Sequence, residues 1–259
     1  MKTKSSFWNK NKYLIISTLF VLALFLIWEL VVVIFKVDYI ILPRFSLVAK
    51  EFVFLLGKGD FYSRLLGTFI RVIMALGFAI IIGVILGIFA VNRYIRACLR
   101  PIIATIKSLP VMAITLIILL QFDKQKAPLI IGFLMAFPIM YNSTIFGIDS
   151  IDKSLIEISK VYDTSLKNKV FKVWMPLMMP SVFSGIETSG GMCIKAVISA
   201  EMLCNTLYSI GQAMHIAKSN FFEAKDMAIL FAYCLVAILL SLILELLIKL
   251  ISKPILNWK

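Results

Sequence analysis

LLGTFIRVIMALGFAIIIGVILGIFAV, residues 65–91, is a run of apolar residues broken by one charge, Arg71. A helix rises about 1.5 Å per residue, so about twenty such residues cross a hydrocarbon core of about 30 Å. The run is therefore long enough to span a bilayer. Working outward from it, comparable apolar stretches occupy roughly residues 14–36, 101–121, 127–148, 177–204 and 226–251. With 61% hydrophobic residues and a mean hydropathy of +0.97, the chain reads as an all-α, polytopic integral membrane protein of about six transmembrane helices. Pro110, Pro128 and Pro138 interrupt the third and fourth stretches, which are expected to be the least regular.

The basic residues set an orientation. Lys2, Lys4, Lys10 and Lys12 precede the first span, and that span contains Glu29 and no small-residue cleavage site, so it reads as a retained helix rather than a signal peptide. With the N-terminus in the cytoplasm, the inner side also collects Arg93, Arg96, Arg100, the lysines between 153 and 172, and Lys249, Lys253 and Lys259. The outer loops receive fewer. By the positive-inside rule both termini are expected to be cytoplasmic. Helix-end cations of this kind account for the net charge of +13 without nucleic acid. Cys98, Cys193, Cys204 and Cys234 lack the C-x-x-C spacing of a zinc site. No soluble linker divides the chain, and a single transmembrane domain over 1–259 is the simplest organisation. Two loop segments stand out: residues 46–56 have helical periodicity, and the polar stretch 205–226 could re-enter the protein.

Between the fourth and fifth spans lies a lysine-rich module, IEISKVYDTSLKNKVFKVWMP, residues 156–176. Ser154 and Glu157 have the spacing of a capping box, which predicts a short helix beginning at Ser154. Leu155, Ile158, Val161 and Tyr162 give that helix one apolar stripe. Asp163-Thr164-Ser165 favours a turn. A second short helix through Leu166, Val170, Phe171 and Trp174 then runs into Pro176. The expected result is a helical hairpin over about 149–176 on the cytoplasmic face.

This module resembles the cytoplasmic loop, or EAA motif, of the permease subunits of binding-protein-dependent ABC importers: E-A-A, three residues, G, nine residues, I-x-L-P. Glu157-Ile158-Ser159, Asp163 and Val173-Trp174-Met175-Pro176 keep that spacing in full. Ile158 and Ser159 replace the alanines, Asp163 the glycine, and Val173 and Met175 the isoleucine and leucine. Arg71-Val72 with Gly83 and Gly87, Phe137-Pro138-Ile139 with Asn142, Thr144 and Gly147, and Ala200-Glu201-Met202-Leu203 look like the branch that imports sulfonates, taurine, nitrate or thiamine precursors. The resemblance runs from about Trp28 to Lys259.

It implies a type I importer-like fold in a bacterial-type cytoplasmic (inner) membrane. It also implies a hairpin that docks, through Glu157, Ile158, Ser159, Tyr162, Asp163 and Pro176, in a groove of a separate ABC ATPase. An extracytoplasmic substrate-binding protein would deliver the solute, and a second copy of the chain would complete the pathway. No G-x-x-x-x-G-K-[ST] phosphate loop occurs, so ATP would be bound by the partner, and no cofactor is expected on this chain.

Charges in spans should face the protein interior or a wet pathway. Glu187, Lys195 and Glu201 lie on the fifth span, at about 80° and about 120° from one another in turn around a helix. They are the translocation-pathway candidates, with Lys195 suited to an anionic solute; the competing role is an ion pair between helices. Glu29 and Arg71 read as structural, and Gly83-x-x-x-Gly87 as a site of close helix packing. His215 alone cannot build a multi-histidine metal centre. A self-sufficient secondary transporter or channel, with ion sites in helices broken at Pro110 or Pro138, is the alternative function. A membrane-embedded enzyme would need a cluster of nucleophiles, acids or ligands, and none is evident.

Overall fold

The computed structural model describes residues 4–152, 154, 170–220 and 223–256. Five of the expected coupling residues, Glu157, Ile158, Ser159, Tyr162 and Asp163, lie outside them. The described elements are α1 (Lys4–Ile34), α2 (Phe45–Leu56), α3 (Gly59–Phe89), α4 (Arg93–Ser108), α5 (Val111–Gln121), α6 (Ala127–Asp149), a π-helical turn (Val170–Trp174), α7 (Met175–Cys204), α8 (Ile210–Ser219) and α9 (Ala224–Leu256). No strand occurs among the described residues, in keeping with the all-α expectation.

The six expected stretches are realised with different regularity. Among the described residues, four segments are long and apolar enough to cross a membrane: Ile15–Ile34, Gly59–Phe89, Ala127–Asp149 and Ala224–Lys253. The third expected span, 101–121, is not one straight helix. It is shared between α4 and α5, which are bent by 99° at the break. Leu109 and Pro110 are both extended there, with ψ of 127° and 123°. Pro110 excludes the helical conformation from the residue before it and offers no N–H to continue the ladder. Pro138, by contrast, sits inside a continuous α6. The fifth expected span is realised as α7, whose 30 residues would extend about 45 Å, although it does not meet the same test of apolarity.

The chain divides into two compact units. One contains residues up to 59 together with 216–235. In it α2 is fastened to α1. Glu29 accepts hydrogen bonds from the backbone N–H of Ser46 (3.1 Å) and from its hydroxyl (2.9 Å), capping the first turn of α2 as its structural reading required. The indole of Trp28 donates to the carbonyl of Pro43 at 3.1 Å, while Phe25 stacks on Phe45 at 4.4 Å. The helical periodicity of residues 46–56 is thus realised as α2.

The second unit contains residues 60–215 and 236–259. Its centre is α6 packed along α7, with α3, α4 and α5 also touching this pair. Small residues set the spacing. A Cβ built on Gly83 would stand 2.7 Å from Cβ of Met140, and one built on Gly87 2.6 Å from Cβ of Thr144. The G-x-x-x-G pair therefore lets α3 lie directly against α6 of the same chain. Ile118, Ala127, Ile131, Ala196, Ala200 and Cys204 form an apolar cluster joining α5, α6 and α7.

Candidate functional site

The three charged candidates of α7 have separate surroundings. Lys195 is exposed and has no ion-pair or hydrogen-bond partner among the described residues. Ser184, Thr188 and Ser199 are exposed with it. Steps of four, seven and four residues keep all four within about 60° around the helix, so they form one narrow polar stripe. Next to it an open cleft of about 440 Å³ between α6 and α7 is lined by Asn142, Ser143, Phe146, Pro180, Ser181 and Ser184, and it carries the polar surface onto α6. Glu187 is half-buried, in the electrostatic field it shares with Lys249 of α9.

Glu201 has none of this exposure. Its side chain is fully buried and its carboxylate is surrounded by donors. Arg71 Nη1 donates to Oε1 at 3.0 Å, the hydroxyl of Thr68 donates to Oε2 at 2.8 Å, and the N–H of Gly211 donates to Oε2 at 3.3 Å. Arg71 also donates to Gln125 Oε1 and to the carbonyl of Leu207, both at 3.1 Å, and the N–H of Ile210 donates to Thr68 Oγ1 at 2.9 Å. A buried ion pair with this many further hydrogen bonds is a position where both charges are satisfied. One carboxylate thereby ties α3, the end of α7 and the start of α8 together.

The local backbone explains how α8 reaches this site. Asn205 closes α7 in the left-handed conformation, φ 49°, which asparagine tolerates better than most residues. Tyr208 repeats it at φ 52°. Between them the hydroxyl of Thr206 donates to the carbonyl of Lys124 at 2.8 Å. At Gly211 a Cβ would meet the backbone N of Met202 at 2.5 Å, so only glycine lets α8 begin against α7. Of the three candidates, then, the structure puts Lys195 on a polar exposed stripe and Glu201 in a buried network with Arg71, and brings none of them together. Thr68, Gln125 and Gly211 were not singled out by sequence reasoning. A depth argument had a handle on the pair: Arg71 lies in the first half of α3 and Glu201 in the last turn of α7.

At the other end of α7, Pro176 occupies the first turn, where its missing N–H is least needed, as expected for the head of the span. The π-helical turn Val170–Trp174 leads directly into it. On the far side of residues 155–169 the expected cap is shifted. Ser154 is itself helical, and Asp152 Oδ1 accepts from its N–H at 2.9 Å. This bond holds the Asp152 carboxyl below the ordinary carboxylate range. Asp152 takes the capping role at this junction because its side chain reaches the N–H two residues on.

Comparison with characterised proteins gives this geometry a context. Over 145 residues the chain is 30% identical to the Escherichia coli (strain K12) glycine betaine/proline betaine transport system permease protein ProW, covering 55% of this chain and 41% of that protein. It thus spans less than half the length of that relative. Over 242 residues it is 22% identical to the putative aliphatic sulfonates transport permease protein SsuC of Bacillus subtilis, covering 90% of this chain and 83% of that protein. It is also 29% identical over 159 residues to the bicarbonate transport system permease protein CmpB of Synechococcus elongatus, covering 60% and 56% of the two chains. Residues 79–256, which contain the α6–α7 pair, the polar stripe and the 156–176 segment, match the binding-protein-dependent transport system inner membrane component family, and the chain belongs to that family.

Proposed function

We propose that this chain is the permease subunit of an ATP-driven importer and that the polar stripe of α7 lines the passage for a small anionic solute. The observation that carries this reading is the stripe itself. Ser184, Thr188, Lys195 and Ser199 are exposed on a helix long enough to span, and an unpaired lysine facing lipid is costly, whereas facing a wet passage it is not. An anionic solute suits Lys195 and agrees with the sulfonate and bicarbonate relatives. The 156–176 loop couples this passage to a separate ABC ATPase, which binds the ATP, and Glu157, Ile158, Ser159, Tyr162, Asp163 and Pro176 form the docking surface. A substrate-binding protein delivers solute from outside, and a second copy of the chain supplies the other wall of the passage. Both termini face the cytoplasm, in line with the distribution of lysine and arginine.

The test is to express the chain with an ATPase encoded beside it and to compare wild type with Glu157→Ala and Asp163→Pro. The reading predicts an ATPase that co-purifies with the wild type, and loss of association or of transport-coupled ATP hydrolysis in the variants while the permease remains folded. A complex unaffected by both substitutions, or no co-purifying ATPase, would contradict it.

A further inference from the structure

We propose that the pocket between α4 and α6 is a binding site for a phosphate group, supplied either by an anionic phospholipid headgroup or by a free phosphate ion. The pocket has a volume of about 380 Å³ and is lined by Arg96, Arg100, Lys107, Tyr141, Asn142 and apolar residues that include Ile103. Residues 96, 100 and 107 fall within about 40° of one another around α4, so three cations share the face of the helix that meets α6.

Their roles differ. Arg96 is clamped: its two Nη atoms donate to Asp149 at 3.0 and 2.9 Å and its Nε donates to the carbonyl of Ala90 at 2.9 Å. It fixes the wall, and Asp149 offsets its charge. Arg100 and Lys107 have no carboxylate partner among the described residues, so the pocket keeps a net positive surplus. The second observation is independent of charge. Tyr141 is 3% exposed and lines the pocket, and its buried hydroxyl has no hydrogen-bond partner. A buried hydroxyl without a partner is uncommon and destabilising.

An oxyanion offers these donors a common acceptor. Its oxygens accept from the Arg100 guanidinium, the Lys107 ammonium, the Tyr141 hydroxyl and the Asn142 amide, the donor set that phosphate takes in general. Basic pockets between membrane helices are suited to lipid headgroups, and Ile103 and Ile145 give this one an apolar side toward which the acyl-bearing end of a lipid would lie. The pocket shares Asn142 with the cleft beside the α7 stripe but contains no residue of α7, and the proposal does not depend on which solute is transported.

The experiment is thermal unfolding of the purified full chain in neutral detergent. Four conditions are compared: no addition, phosphatidylcholine, phosphatidylglycerol, and inorganic phosphate with ionic strength matched by chloride. The wild-type midpoint is expected to rise by about 5 °C with one or both phosphate sources at saturation and not with phosphatidylcholine. A rise with phosphatidylglycerol alone identifies the lipid as the source, and a rise with inorganic phosphate identifies the free ion. The double substitution Arg100→Gln/Lys107→Gln should abolish the response, and Lys249→Gln/Lys253→Gln, outside the pocket, should keep it. Tyr141→Phe, which removes only the hydroxyl, should retain the fold and weaken the apparent affinity by about tenfold, so it carries the test if the double substitution does not fold. No rise with either source, or an equal rise in wild type, Arg100→Gln/Lys107→Gln and Tyr141→Phe, would overturn the proposal.

Discussion

Lys195 and Glu201 stand six residues apart on one helix and have opposite surroundings. Glu201 is fully buried and receives hydrogen bonds from Arg71, Thr68 and Gly211. Lys195 is exposed, in line with Ser184, Thr188 and Ser199. Their separation of about 120° around the helix is enough to turn one into the packed interior and the other onto a polar surface. An ionisable residue in a span is therefore not a single kind of feature. One with several fixed donors around it holds helices together, and one without a partner is open to something outside the chain.

Substitutions at the two positions should separate accordingly. Glu201→Ala leaves Arg71 without its counter-ion and the Thr68 hydroxyl without its acceptor in a buried site, and is expected to destabilise the chain by about 3–5 kcal/mol, read as a lower thermal midpoint in detergent and a lower yield of folded protein. Removing both charges, as Arg71→Met/Glu201→Met, should recover most of that loss. A double variant as unstable as the sum of the singles would mean that the pair is not coupled as the geometry requires.

The packing around this interior gives the next largest effect. Gly87→Val places side-chain atoms where Thr144 already sits and should cost about 1–3 kcal/mol; unchanged unfolding would show that α3 and α6 do not approach as closely as described. Glu29→Ala removes the acceptor for both Ser46 donors, and about 1 kcal/mol of stability should go with it, by analogy with other helix caps. Smallest in stability is Lys195→Met, within about 0.5 kcal/mol of wild type. Transport of an anionic solute by the assembled importer should nevertheless fall or change in selectivity. Unaltered uptake with unaltered solute preference would remove Lys195 from the passage.

The same contrast explains what could be read from the sequence. Spans α3, α6 and α9 and the short α2 announce themselves, because length and hydrophobic period are local properties of the chain. The break between α4 and α5 was signalled by Pro110 but not its size, since a proline before a helix start and a proline inside α6 look alike until neighbouring helices decide which backbone survives. For α7, the sequence supplied the angles between Glu187, Lys195 and Glu201 but not which side faced the interior. That choice is made by Arg71, 130 residues away in the chain. Depth matching between a lone cation in one span and an acid in another would have suggested the pair. The left-handed turn at Asn205 and Tyr208, and the start of α8 against Gly211, are products of tertiary contact and left no pattern to find. The 156–176 segment is the reverse case: its motif spacing carries a definite expectation, and residues 155–169 lie outside the described structure.

The central claim is that the α7 stripe faces water in the assembled importer rather than lipid or a packed interface. The most direct measurement is labelling of Thr188→Cys and Ser199→Cys by a water-soluble, membrane-impermeant maleimide in intact membranes, with the exposed Cys98 replaced by serine. The account predicts that both positions are labelled from the aqueous phase during turnover and are protected by transported solute, while Thr68→Cys, beside Glu201, is not labelled. Labelling of positions 188 and 199 only after the membrane is dissolved in detergent would place the stripe against lipid or another protein surface and contradict the account.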